Sequence, residues 1–373
     1  MNRKEVILLI ASVAVSLALL ETGLRIFTPY PVSWTSNQIR HEKLGYVMDP
    51  GLVEIDKSGF RNKNQPSADI IAIGDSFTFG TNVVSGHSWP KVMGRILDKN
   101  VYNYGVGGYG ILQYSVLLDM TIERKPDAIL VALFLTNDLD DVCRHYVRYE
   151  YLRVQASQLG VDGNLCPDAY KPAKEKFSIS RILNEKVALY SAIRTNYLRY
   201  RMERMIDSND HSNAVIINDG IQRTILHRLT LERNAPFVDL KNPHIAMAFG
   251  LLKDFLQKAK RETQTRNIRF GVLLIPSKER VFYSYLKEKG YELSDEYEQL
   301  VVNDNKLRSN TVAFMKKIGV SSVDLLPNME DAIRNYKNIY PATTDGHPLD
   351  MGYRVFAEAA AELVTGRQQQ GPQ

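Results

Sequence analysis

The sequence predicts an α/β protein: a doubly wound, parallel five-stranded sheet with a helical and hairpin insertion and an N-terminal membrane helix. Three observations carry that expectation. Five short apolar runs alternate with helix-compatible stretches, the alternation stops between about residues 139 and 238, and an uncharged apolar run occupies Val6–Leu20.

The elements follow in chain order. Arg3 and Lys4 precede the apolar run, and Thr22–Phe27 extends it to spanning length when Glu21 and Arg25 reach toward the interface. Residues 1–27 therefore read as an uncleaved signal-anchor that holds the rest of the chain outside the cytoplasm, in the periplasm or beyond the cell. The following ETGLRIF lacks the small-residue site of a cleaved signal. A cleaved signal and a core helix are the competing readings. Residues 28–65 are rich in Pro, Asn, Ser and charge without a period, and read as linker and lead-in.

Residues 66–366 read as the main α/β domain. Asp69–Ile73 (DIIAI) predicts a strand that runs through a turn into a helix over 87–97, and Val101–Tyr104 predicts a second strand, followed by a helix over 111–123. Ala128–Leu135 (AILVALFL) is a continuous apolar run typical of a strand covered on both faces. Ile268–Ile275 and Ser322–Leu326 supply the last two strands. Between the third and fourth strands, residues 139–238 read as a cap. Tyr149–Val154 alternates like a hairpin strand there, and Asn184–Ile206 has the length of a helix with a Tyr- and Arg-rich surface suited to sugar rings and carboxylates. Residues 367–373 are polar and read as a disordered tail.

Composition narrows the partners. The net charge of +5 is small for 373 residues and the basic residues are interleaved with acids, which argues against a nucleic-acid partner. Cys143 and Cys166 are too few for a disulfide scaffold and lack the four-ligand spacing of structural zinc; one disulfide and two reduced thiols both stay open. No compact set of His and carboxylate ligands stands out, so no metal is expected. The GVGGYG run lacks the acidic ribose partner of a dinucleotide site, so no cofactor is expected.

Sites in doubly wound sheets form outside the carboxyl ends of the strands, and the chemically capable residues fall there. Ser76 follows the first strand in GDSFTFG, where its backbone N–H can face a developing oxyanion. A serine hydroxyl needs a neighbouring base, and His347 is the best candidate: it follows the last strand, comes just after an Asp-Gly pair and precedes the closing helix. Asp345 is its natural orienting partner, with Asp350 the nearby alternative. Gly108 in NYGVGGYG and Asn137 in FLTND also follow strands, and supply a backbone N–H and a side-chain amide for the same oxyanion.

These four blocks, in this order, resemble the SGNH, or GDSL-like, hydrolase family. GDS matches at Ser76, the block-two glycine at Gly108 (five positions beyond Asn103), the block-three asparagine at Asn137, and the final pair at Asp345 and His347. The likeness runs from Ile70 to Leu363 outside the insertion. It departs from many members in separating the last Asp and His by Gly346 alone, and in reading GDSFTFG, a variant resembling membrane-anchored bacterial members. The resemblance implies a flavodoxin-like sheet and an ester hydrolase working through an acyl-enzyme. O-acyl, above all acetyl, groups of a cell-surface polysaccharide or another ester-bearing molecule are the implied substrates. An O-acyltransferase using the same site, and a non-catalytic membrane-tethered binding module, are the alternatives. No protein partner is indicated.

Overall fold

A computed structural model describes residues 2–27, 37–62, 68–170, 187–208, 214–227 and 234–366, together with residues 179, 183 and 231. The chain opens with helix α1 (Arg3–Phe27), whose Arg3–Leu24 portion has a mean hydropathy of 2.2 and is long and apolar enough to cross a membrane. A hairpin follows, β1 (Gln38–His41) antiparallel to β2 (Gly45–Met48), with Gln38 opposite Met48. Residues 28–65 were expected to be irregular. Instead, Leu44, Tyr46, Val47, Met48, Ile55 and Phe60 are buried in the main core. Strands of four residues are too short to lift a polar composition above a linker's.

The sheet is built from β3 (Ile70–Ile73), β4 (Val101–Asn103), β5 (Ala128–Leu133), β8 (Arg269–Leu274) and β9 (Ser321–Asp324). Every residue of β3 and β5 is buried, as uninterrupted apolar strands covered on both faces must be. All pairings are parallel and the order is β4-β3-β5-β8-β9, the flavodoxin-like 2-1-3-4-5 arrangement. Between the strands come α2 (Ser76–Phe79), α3 (Trp89–Leu97), α4 (Ile111–Ile122) and α5 (Leu135–Asp138).

The insertion begins with α6 (Asp140–Arg148) and α7 (Glu150–Gln158). Helix α7 replaces the hairpin strand expected over Tyr149–Val154. Leu152 and Ala156, four apart, are its two buried residues, so helical spacing prevails over a brief alternation. Next come α8 (Ala188–Ser208) and a hairpin of β6 (Ala214–Asn218) and β7 (Arg223–His227) turning through Asp219 and Gly220. That Asp-Gly pair between apolar runs is a hairpin signal in the sequence. The expected helix start at 184–186 and the tail 367–373 lie outside the described residues.

After the insertion, α9 (Pro243–Gln264) leads to β8, α10 (Lys278–Glu288) and α11 (Asp295–Lys317) lead to β9, and α12 (Leu326–Asn335) and α13 (Asp350–Thr365) close the fold. Helices α4 and α9 pack together on one face of the sheet, and α3 and α13 on the other. Helix α6 joins the α4–α9 layer, so this part of the insertion thickens the core. Cys143 of α6 and Cys166 are bonded, which settles the pair that the sequence left open. Closing a loop of this length stabilises a fold by about 3 kcal/mol in the chain-entropy view. Where α1 ends, the Glu21 carboxylate accepts the Leu189 N–H at 2.8 Å and so satisfies a free donor in the first turn of α8.

Candidate active site

The strand order puts three loops side by side: those after β4, β3 and β5, with the β3 loop in the middle. Ser76 opens α2 directly after β3. The preceding Asp75 caps that helix, its Oδ1 accepting the Phe77 N–H at 2.9 Å. The β4 loop lies on α2 so closely that a Cβ at Gly105 would stand 2.2 Å from the Phe79 nitrogen, a contact only glycine permits. Arg61, from the lead-in, fixes the other end of this turn. Its guanidinium donates to the carbonyls of Phe79, Gly80 and Val83 and pairs with Glu54.

His347 and Asp345 arrive on the segment between α12 and α13. His347 Nε2 lies 2.7 Å from Ser76 Oγ, and its Nδ1 lies 2.6 Å from Asp345 Oδ1. A carboxylate only accepts, so the imidazole proton sits on Nδ1, leaving Nε2 to accept the serine O–H. Asp345 Oδ1 also accepts the His347 backbone N–H at 2.9 Å, which shows how the short Asp-Gly-His spacing closes. Burial pushes the Asp345 carboxyl up, but the His347 ring, the His347 N–H and the Asn82 amide together hold it down at about 2. Asp350, the alternative orienting acid, is exposed and pairs with His87 Nδ1 at 3.1 Å instead.

Asn137 lies on α5, beyond β5. Its Nδ2 donates to Asp75 Oδ2 at 3.3 Å, while its Oδ1 is buried without a partner among the described residues. Asp75 is fully buried, and burial lifts it to about 6 against the pull of the Phe77 N–H, His347 and Asn137. Asp138, buried beside it, is pushed well up for the same reason and by the Asp75 charge; it accepts from Tyr114 Oη and the Phe134 N–H. Gly108 sits in the β4 loop. Neither its N–H nor that of Ser76 has a hydrogen-bond partner among the described residues, so both donors are open.

The structure thus brings Ser76, His347 and Asp345 into one hydrogen-bonded line, with Asn137 joined to the residue before the serine and Gly108 on the adjoining loop. Sequence reasoning passed over three further residues. Asn82 donates to Asp345 Oδ2 at 3.0 Å and to the His347 carbonyl at 3.1 Å. Lys278, fully buried at the start of α10, donates to the carbonyls of Ile225, Thr343 and Asp345; burial brings its ammonium down to about 8. Tyr46, in β2, donates to the Gly107 carbonyl at 3.0 Å. Only Asn82, six positions beyond Ser76, offered a local hint. Among the described residues no group of three or more His, Cys, Asp or Glu is placed to hold a metal ion.

No family model matches the chain, and no curated protein matches it. It is similar to the crystal structure of a lipolytic protein of the G-D-S-L family from Veillonella parvula, with 13% identity, 79% of this chain and 97% of that chain covered, and a TM-score of 0.39. A second similar structure is the acetyl xylan esterase AlAXEase, with 13% identity, 78% and 96% covered, and a TM-score of 0.36. A third is a catalytic mutant of Axe2, an acetylxylan esterase from Geobacillus stearothermophilus, with 10% identity, 81% and 96% covered, and a TM-score of 0.37.

Proposed function

We propose that the chain is a serine esterase that cleaves O-acyl groups through an acyl-enzyme. The observation that carries this reading is the unbroken line Ser76 Oγ, His347 Nε2, His347 Nδ1, Asp345 Oδ1, with spacings of 2.7 Å and 2.6 Å at its two hydrogen bonds. Ser76 Oγ attacks the ester carbonyl carbon while His347 Nε2 takes the hydroxyl proton. Asp345, ionised from about pH 2 upward, stabilises the imidazolium that results. The carbonyl electron pair moves onto oxygen, where the Ser76 N–H, the Gly108 N–H and the Asn137 amide are the donors assigned to it. The C–O bond then breaks, His347 returns the proton to the leaving alcohol, and the acyl group stays on Ser76. Water repeats the sequence and releases the acid.

The substrate class in this reading is an acetylated polysaccharide, following the family resemblance of the four blocks. The site belongs outside the cytoplasm, with α1 as its anchor. The spanning length of α1 supports the anchor, and the Cys143–Cys166 bond, which suits an oxidising compartment, supports that side. The test uses the full chain in detergent. Wild type hydrolyses p-nitrophenyl acetate and is labelled by a fluorophosphonate, whereas Ser76→Ala and His347→Ala fall to background and Ser76→Ala takes no label. Folded protein that neither hydrolyses nor labels overturns the reading. Acetate release from acetylated xylan tests the substrate class, and acetyl transfer to an added sugar without acetate release would reassign the enzyme as a transferase.

A further inference from the structure

Gly107 and Gly108 stand in succession, and Gly108 adopts φ +80°, where an L side chain is strained. A peptide plane between two glycines has no side chain to hold it. If it turned over, the assigned oxyanion donor would be replaced by a carbonyl oxygen. Something else must therefore fix its direction.

Resting on the esterase reading, we propose that Tyr46 is a positioning residue for the oxyanion-binding peptide, and that the N-terminal hairpin is part of the catalytic machinery. The Gly107 carbonyl and the Gly108 N–H belong to one rigid peptide plane and point in opposite directions. Tyr46 Oη donates to that carbonyl at 3.0 Å, which holds the plane with the Gly108 N–H directed away from the tyrosine. The bond also draws electron density from the amide and strengthens its N–H as a donor, as linked hydrogen bonds do.

The surroundings allow little else. Tyr46 is buried, and burial holds its phenol well above its ordinary range, so the hydroxyl stays protonated and available as a donor. The loop grips the hairpin in return: Tyr109 Oη donates to the Tyr46 carbonyl at 2.6 Å, and the two rings meet edge to face at 5.3 Å. The next carbonyl, that of Gly108, lies 2.8 Å from His145 Nε2. His145 is fully buried and burial brings it down to about 3, so it is neutral, and Nε2 carries its proton because only a donor can meet a carbonyl. Two consecutive carbonyls are thus held by a phenol and an imidazole. A methyl group on Gly108 would meet Tyr46 Oη at 3.0 Å, so the tyrosine also sets how closely this backbone can be approached.

The test is Tyr46→Phe, which deletes one hydroxyl and keeps the ring. Loss of a direct oxyanion donor costs roughly 10²–10³ in kcat, and loss of its support should cost about ten-fold, with KM within two-fold. Inhibition by a boronic acid, whose tetrahedral adduct carries the oxyanion, should weaken by the same factor. Tyr149→Phe, whose ring packs on Tyr46 at 5.7 Å, is the packing control and should leave kcat unchanged. Fluorotyrosine at position 46 keeps the packing should Tyr46→Phe not fold; the more acidic phenol should raise kcat. Unchanged kcat in both substitutions at 46, or an equal loss in Tyr149→Phe, overturns the proposal. Ser76→Ala in the same series separates the two ideas. If it retains activity the esterase reading falls; if it is dead while Tyr46→Phe matches wild type, the positioning role alone falls.

Discussion

The two halves of the candidate site are supported in different ways. Ser76, Gly108 and Asn137 stand just beyond three adjacent strands of the sheet, where the β4 loop packs tightly on α2 and Asn137 bonds Asp75. Asp345 and His347 ride on the segment between α12 and α13, which has no strand beneath it. That segment hangs from side chains of distant elements. Lys278 holds its carbonyls at Thr343 and Asp345, Asn82 holds Asp345 and the His347 carbonyl, and Thr224 of β7 donates to Pro341 at 2.7 Å. Gln222 bonds the backbone at Ile333, Tyr336 and Ile339. The nucleophile half is therefore as stable as the core. The base half is anchored in the core by Ile339 and Tyr340, and otherwise depends on a few polar bonds and the insertion hairpin that carries some of them.

The largest effect should come from cutting the base half at its centre. Asp345→Asn removes the acceptor that fixes the imidazole tautomer, and kcat should drop by about 10³–10⁴ with the melting temperature changed far less. Steady-state kinetics beside a thermal melt check this. Lys278→Met comes next: with three carbonyls losing a buried donor, stability should fall by about 3 kcal/mol. Turnover should fall with it at temperatures where the protein is still folded. Val131→Ala in β5 costs a similar 2–3 kcal/mol or so of core packing and should leave turnover intact. Equal turnover losses in the two variants would erase the contrast between the halves.

The nucleophile half has its own pH signature. Asp75 titrates near 6 in the folded chain and near 4 when unfolded, so the folded state holds more protons between those values. Stability from this group is complete below about pH 4 and is lost as pH rises through about 6, a change on the order of 1–3 kcal/mol. Asp345, held at about 2, acts with the opposite sign and only as pH falls from about 4 toward 2. Melting temperature against pH should therefore decline from 4 to 6 in wild type and decline less in Asp75→Asn. The smallest effect is expected from Asn82→Ala, about 1 kcal/mol of stability and several-fold in kcat, since Asp345 keeps its other partners.

The nucleophile half is also the more legible in sequence. The apolar runs at 69–73, 101–104 and 128–135 predicted strands, and GDS, NYGVGG and TND sit where those strands end. The base half showed its chemistry, in Asp345 and His347, but not its supports. Lys278, Thr224 and Gln222 act on backbone carbonyls and amides, which carry no residue identity, so no pattern links them to residues 333–345. The N-terminal hairpin was hidden for a related reason. Tyr46 reads as one tyrosine among many until β2 is folded beneath the β4 loop, and a four-residue strand leaves too brief an alternation to find. The helix α7 was misread because the six residues 149–154 are too few to separate the two periods.

The bond between Ser76 and His347 joins residues 271 positions apart. Every residue between them must be made before the two can meet. On the proposed reading, a chain still emerging from the ribosome holds Ser76 without its base and the β4 loop without its final partners. The proposed esterase is therefore inactive until the segment that carries His347 has been made and has folded against the β3 loop.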